Sequence, residues 1–336
     1  MTLLRSKDKR NREYKGYLNE ETILCLLDEM SITMKSFIEE HDLILMEAAI
    51  VERLRRDSSI MLHPNLVHAP LIYDDKGKKE LQRLYQGYIS IAMKAELPFI
   101  MCTPTWRTNY ERVMESQFNP NINYDAAGFM KNLRDAQGSG VTTIKIGGLI
   151  GCKNDCYKPQ EGLSVSEAGI FHRWQIDQLA QAGVDFIIAE TLPNIEEAIG
   201  IAKAIEKTAT PYIISFVINC SGYVLDGTSL SEAVTRIDEV MRQQPLCYMV
   251  NCSYPTFLCA KEQPTDLFGR LIGCQANASS LDHCDLERSA QLETENVSEW
   301  GEEMLALYRK YGMKILGGCC GTGVTHLRYL AEAGFG

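Results

Sequence analysis

From residue 43 onward the chain alternates short apolar runs with longer amphipathic stretches, and this rhythm limits the available folds more than any other feature. The apolar runs are Leu43–Glu47, Pro98–Thr103, Thr142–Gly147, Val184–Glu190, Tyr212–Val217, Cys247–Cys252, Leu271–Gln275 and Lys314–Cys319. Runs this short and this continuously apolar predict buried parallel strands. Between them, Lys79–Glu96, Ser166–Ala182, Asn194–Lys207, Ser229–Arg242 and Ser298–Tyr311 carry apolar residues at helical spacing. Ser164 stands three residues before Glu167, the spacing of a capping box, and Gly183 predicts the end of that same helix. Eight strand–helix units predict an α/β fold, a closed (β/α)8 TIM barrel. A doubly wound open sheet is the alternative, and the count of eight favours closure. The strand between Pro264 and Asn277 has the weakest signal, because long loops flank it.

The segment before the alternation reads as an N-terminal helical extension over residues 1–40, attached to a barrel domain over 41–336. From Glu20 to Glu40, Ile23, Leu26, Leu27, Met30, Met34, Phe37 and Ile38 fall at helical spacing. Such a helix either caps one end of the barrel or docks on a second copy of the chain, making a homo-oligomer.

Net charge excludes some partners. At −10 the chain lacks the basic balance that nucleic acid or an anionic membrane surface demands. Met1 to Lys15 is polar and basic with no apolar run, so no secretory signal is expected. No stretch approaches the ~20 apolar residues of a membrane span. Twelve cysteines in that context predict a reducing, cytoplasmic location, with thiols that are buried, catalytic or metal-bound. Cys25, Cys102, Cys247 and Cys274 lie in apolar runs and read as inert core. Cys152 and Cys156 flank a polar loop after strand three and read as loop thiols or part of a lid.

Barrel enzymes place their chemistry at the C-terminal ends of strands. Strand six ends in Val250-Asn251-Cys252 and strand eight in Gly317-Gly318-Cys319-Cys320-Gly321-Thr322, so three cysteines converge on one face. Three thiolates with one position left open match a catalytic Zn2+ site rather than a structural one. Alone, Cys252 reads more readily as a buried strand-end residue, and Cys319-Cys320 can be a close-packed turn. The same glycines, with Thr322 and a helix starting near Gly323, also suit a phosphate site. Zn2+ with three thiolates carries a formal charge of −1, a poor activator of water but a good stabiliser of a fourth sulfur as thiolate. A free thiol with a pKa of about 8.5 is mostly protonated at pH 7, and full ionisation is worth about 2 kcal/mol. Thiol alkylation fits such a site better than hydrolysis.

TPTWR at 103–107, AGVDFIIAET at 182–191, LDGTSLSEAV at 225–234, VNCS at 250–253 and GGCCGT at 317–322 together resemble the homocysteine S-methyltransferase family. That family includes betaine-dependent enzymes and the homocysteine module of methionine synthase. The resemblance implies Cys252, Cys319 and Cys320 as zinc ligands. It also implies that Glu190 receives the amino group of the amino-acid acceptor, a role chemically suited to a strand-end carboxylate. Trp106 after strand two is expected to wall the pocket or stack on a cationic methyl donor, and Asn277 after strand seven to contact substrate. One stretch departs from the pattern. The family ends strand one with Asp-Gly-x-Met-Gly-Thr, whereas this chain has Glu47-Ala48-Ala49-Ile50-Val51-Glu52. Acidity persists at Glu47, which joins the substrate-binding candidates. Without glycines, and with β-branched Val51, the loop is expected to take a different path.

The expected activity is methyl transfer from a sulfonium, quaternary ammonium or corrinoid donor to a small-molecule thiol, with homocysteine giving methionine. The altered strand-one loop motivates an alternative: a relative with a different acceptor, or one partnered with a corrinoid protein. A phosphate-binding barrel enzyme and a non-catalytic zinc protein are the remaining alternatives.

Overall fold

The computed structural model of the protein describes residues 33–138, 143–281 and 296–334. Eight parallel strands close into a barrel in chain order, with β1 hydrogen-bonded to both β2 and β8. The strands are β1 (Ile44–Met46), β2 (Phe99–Cys102), β3 (Ile144–Gly151), β4 (Phe186–Leu192), β5 (Tyr212–Phe216), β6 (Cys247–Asn251), β7 (Leu271–Ala276) and β8 (Ile315–Gly318). Each overlaps its expected apolar run, β7 included, although β3 runs on to Gly151 and β4 to Leu192, past the expected ends at Gly147 and Glu190; closure removes the open-sheet alternative.

Helices cover the outside. They are α1 (33–40), α2 (Val51–Arg56), α3 (Asp75–Lys94), α4 (Tyr110–Glu115), α5 (Ile122–Asp135), α6 (Val165–Phe171), α7 (Arg173–Gln181), α8 (Ile195–Glu206), α9 (Leu230–Val240), α10 (Val297–Tyr311) and α11 (Val324–Ala333). Several begin on side-chain caps that satisfy the free N–H groups of a first turn. Asp74 accepts from Gly77 N, Asn194 from Glu197 N and Ser229 from Glu232 N. The Ser164–Glu167 capping box forms as read. The helix expected over Ser166–Ala182 is two helices instead. It breaks at His172, whose ring turns inward to the Glu197 carboxylate, Nε2 to Oε1 2.9 Å. Gly183, at φ +68°, follows the second of them. Between β2 and β3, where no helix is read from sequence, Ile122, Ala126, Phe129, Met130 and Leu133 bury one face of α5.

Two apolar layers result. The larger lies between strands and helices. The smaller fills the barrel itself, with Ile44, Met46, Ile100, Phe186, Ile188, Ile213, Met249 and Ile315. Met34, Phe37 and Ile38 of α1 belong to this inner cluster, so α1 plugs the barrel end opposite the strand C-termini. Lys145 Nζ sits 5.4 Å from the Phe37 ring centroid at that end, and Lys314 Nζ donates to His41 O. The expected helix from Glu20 is therefore described only in its last part, since residues 20–32, with Cys25 and the Leu27–Met30 stretch, lie outside the described residues. Cys102, Cys247 and Cys274 are buried, and burial pushes the Cys247 and Cys274 thiols up to about 12. No helix among the described residues is long and apolar enough to cross a membrane.

Candidate active site

Cys252, Cys319 and Cys320 come together at the C-terminal end of the barrel, with their sulfurs all within 4.8 Å of one another. Among the described residues no other group of three or more potential metal ligands is so arranged. Cys252 follows β6 in a left-handed conformation, φ +52°, which a non-glycine residue adopts only when its surroundings hold it. Here its N–H donates to Gln275 O at 3.2 Å. Cys319 N donates to Ala276 O and Cys320 N to Asn277 Oδ1, so β7 fixes the backbone of both. Gly318 has to be glycine, because a Cβ would stand 2.2 Å from Thr322 Oγ1. Hydrogen bonds with Cys319 and Cys320 push the Cys252 thiol up, whereas those from Cys252 and Cys319 pull Cys320 well below the ordinary thiol range. Negative charge is thus concentrated on one sulfur of the triad, at the position most open to solvent. Soft, clustered thiolates of this kind fit Zn2+.

Beside the thiols lies a cavity of about 210 Å³, lined by residues of every strand but β5 or of the loops that follow them. Two of its walls are carboxyl groups. Glu47 is 6% and Glu190 7% exposed, and burial pushes the Glu190 carboxyl up to about 8. Glu47 is raised too, first by burial and further by the proximity of Glu190, although its Oε2 accepts from Cys102 N at 2.6 Å. Glu190 Oε1 meets no hydrogen-bond partner within the described protein, nor do the cavity-lining atoms Asn251 Nδ2 and Gln275 Oε1. Unpaired polar atoms are rare in protein interiors. With His68 Nδ1 there are four around one cavity, which mark it as built for a polar ligand.

Glu190 occupies an irregularity in the sheet. The β4–β5 register shifts between Ala189 and Leu192, and Thr191 is forced to φ +57°. Bulges of this sort re-aim a side chain next to active sites. Asn251 Oδ1 holds the distortion by accepting from Thr191 N (3.0 Å) and Ser215 Oγ (2.7 Å).

The family described as homocysteine S-methyltransferase matches residues 41–334. The chain belongs to the homocysteine S-methyltransferase family. Among curated relatives, homocysteine S-methyltransferase 2 of Arabidopsis thaliana is 25% identical over 174 residues, covering 50% of each chain. Selenocysteine Se-methyltransferase of Brassica oleracea var. italica is 27% identical over 169 residues, covering 47% of this chain and 46% of its own. The matched segment thus spans about half the length of these relatives. The solved structure of the homocysteine methyltransferase MmuM from Escherichia coli, oxidized form, has the same fold. It superposes with a TM-score of 0.71 at 17% identity, covering 90% of this chain and 99% of that one. The metallated form of MmuM gives a TM-score of 0.69.

The family's strand-one glycines are absent, and residues 47–50 follow a path free of positive φ into the short helix α2. Ala49 is tied down on both sides, with its N–H donating to Thr322 Oγ1 and its carbonyl accepting from Tyr88 OH. Trp106 lines the cavity, and its Nε1 donates to Thr191 Oγ1 at 3.0 Å. One ring face is already covered, with Arg107 Cζ 4.1 Å from the centroid. Asn277 does not line the cavity; its side chain holds the Cys320 backbone instead. The donors a phosphate would use are also engaged, since Thr322 N and Oγ1 bond Cys319 O and Gly323 N bonds His326 Nδ1.

Sequence reasoning missed several lining residues. Asn251 was accessible to it, because Cys247, Met249 and Asn251 alternate toward the barrel interior. Arg55, His68, Cys156 and Tyr157 come from loops and α2, and no periodicity marks them. Cys152 and Cys156 are both buried, and Cys156 lines the cavity with Tyr157.

Proposed function

We propose that this chain methylates the sulfur of an amino-acid thiol, homocysteine giving methionine, with a donor of the sulfonium, quaternary ammonium or corrinoid class. One observation carries the reading: a triad of thiols within 4.8 Å shares a cavity with two buried carboxyl groups that lack a cation. The name of the Arabidopsis thaliana relative points the same way, and that of the Brassica oleracea relative to a selenium analogue of such a thiol.

Cys252, Cys319 and Cys320 would hold Zn2+, which at such a site supplies the charge that deprotonates an acceptor thiol. The chain's own groups then position the reactants. Glu190 and Glu47 receive the acceptor ammonium, whose charge relieves their mutual repulsion and lets Glu190 ionise below pH 8. Asn251 and Gln275 offer further polar contacts beside it. Trp106, Leu149 and Tyr157 wall the cavity and keep bulk water from the reacting sulfur. The sulfur lone pair forms the new S–C bond while the donor's bond to the methyl carbon breaks, its electron pair staying with the donor. No general base is needed once the thiol has lost its proton, so alignment is the main demand on the protein.

Calorimetric titration of L-homocysteine into zinc-loaded and zinc-stripped protein tests the reading without knowledge of the donor. Binding is expected to require zinc and to release protons. Zinc-replete protein that ignores homocysteine would overturn it in favour of a relative with another acceptor. Full zinc content and full methyl transfer in Cys320→Ala would overturn the role of the triad.

A further inference from the structure

The cavity's charges are unbalanced in an informative way. Glu47, Glu52 and Glu190 line it, and a single permanent cation, Arg55, lines it with them. The neighbouring arginines of α2 are spoken for. Arg56 pairs with Glu52, and Arg53 stands against Gly323, where a Cβ would meet its Nη1. Arg107 is turned away, its Nη1 donating to the carbonyls of Cys152 (2.9 Å) and Asn154 (2.7 Å). Lys153 pairs with Glu111. His68 lines the cavity with Nδ1 unpartnered, but burial pushes it down to about 4, so it is neutral at pH 7. Arg55 alone carries a positive charge to the cavity without an ion pair among the described residues, and Cys320 lines the same cavity.

An amino-acid thiol bound by its sulfur and its ammonium presents one more group, the α-carboxylate. On the strand-one loop one backbone donor, the Ala49 N–H, is already used by Thr322 Oγ1, and the loop brings no side-chain cation of its own. We propose that Arg55 is a specificity-determining residue of this site, the receptor for the α-carboxylate of its amino-acid acceptor. This rests on the acceptor reading above. A guanidinium matches a carboxylate in charge and fork geometry, and its rim position on a helix lets it engage after the sulfur has entered.

The test compares two thiols, L-homocysteine and its decarboxylated counterpart 3-aminopropane-1-thiol, titrated into zinc-loaded wild type, Arg55→Ala and Arg55→Lys. Zinc content and melting temperature serve as controls for folding. Wild type is expected to prefer homocysteine by roughly 10–100-fold, the span of one hydrogen-bonded charge pair. Arg55→Ala should lose that preference while keeping its affinity for 3-aminopropane-1-thiol, and Arg55→Lys should retain part of it. A wild-type preference that survives Arg55→Ala would overturn the proposal. So would an equal loss for both thiols, which would mean that Arg55 acts through the thiol triad. Wild type binding both thiols alike would remove the carboxylate contact but leave the amino-thiol acceptor standing. Wild type binding neither thiol would overturn the acceptor reading and this proposal with it.

Discussion

Glu190 lies in the barrel mouth with one oxygen unpartnered and a second carboxyl, Glu47, close by. Such an arrangement costs stability whenever the group must be ionised. The sign follows from linkage. Its folded pKa of about 8 lies above the unfolded value of about 4.3, so the folded protein holds a proton that the unfolded chain releases. The stability tied to that proton is complete below about pH 4 and is lost as pH rises to about 8. Glu190→Gln removes the titration. Melting temperatures of variant and wild type, both zinc-free, should diverge in the variant's favour from pH 5 to 8, then run parallel. The same variant should bind homocysteine at least about tenfold more weakly, since it gives up a charge-assisted contact. A constant difference across that pH range would show that Glu190 does not carry the proton. In the proposed acceptor role, the residue would trade fold stability for ligand binding, as active-site groups commonly do.

At the scale of elements, the loop over 152–163 brings Cys156 and Tyr157 to the cavity, and a buried carboxylate from another element clasps it. Glu197 of α8 accepts from Lys153 N (2.7 Å) and His172 Nε2 (2.9 Å) through Oε1, and from Leu163 N (3.3 Å) through Oε2. Both ends of the loop are therefore tied to one side chain, which also bends the α6–α7 pair at His172. Glu197→Ala would strand buried donors at Lys153 N, Leu163 N and His172 Nε2, and an unfolding free energy lower by about 3 kcal/mol or more is expected in urea titrations, at ~1–3 kcal/mol per unsatisfied group. Limited proteolysis should then cut within 152–163 while zinc content stays at one per chain, because the three thiols sit on other loops. Resistance of that loop in the variant would mean Arg107, not Glu197, secures it.

At the scale of the molecule, the barrel separates stability from chemistry. Its lower end is closed by Met34, Phe37 and Ile38 of α1 packed on Ile44, Phe186 and Ile213, while every candidate site residue stands at or beyond the strand C-termini. Phe37→Ala should cost about 3 kcal/mol or more as a buried aromatic truncation. It should lower the urea midpoint and leave zinc stoichiometry and thiol binding as in wild type. A matching loss of zinc would mean that the two ends are coupled through the inner apolar layer.

What the sequence determined by itself was the periodic part. Eight apolar runs could be read as eight buried strands because a residue's place in a strand or helix depends on its near neighbours along the chain. The same locality put Cys252, Cys319, Cys320, Glu47 and Glu190 at strand ends on one face. Tertiary structure alone decided how those groups meet: the 4.8 Å thiol cluster, the bulge that re-aims Glu190, and the diversion of Asn277 from the cavity to the Cys320 backbone. Arg55, His68 and Tyr157 belong to segments without hydrophobic period, so only the folded path of those segments assigns them to the cavity. The break at His172 has the same origin. It is imposed by Glu197, a partner 25 residues away, and no local spacing encodes a contact at that distance.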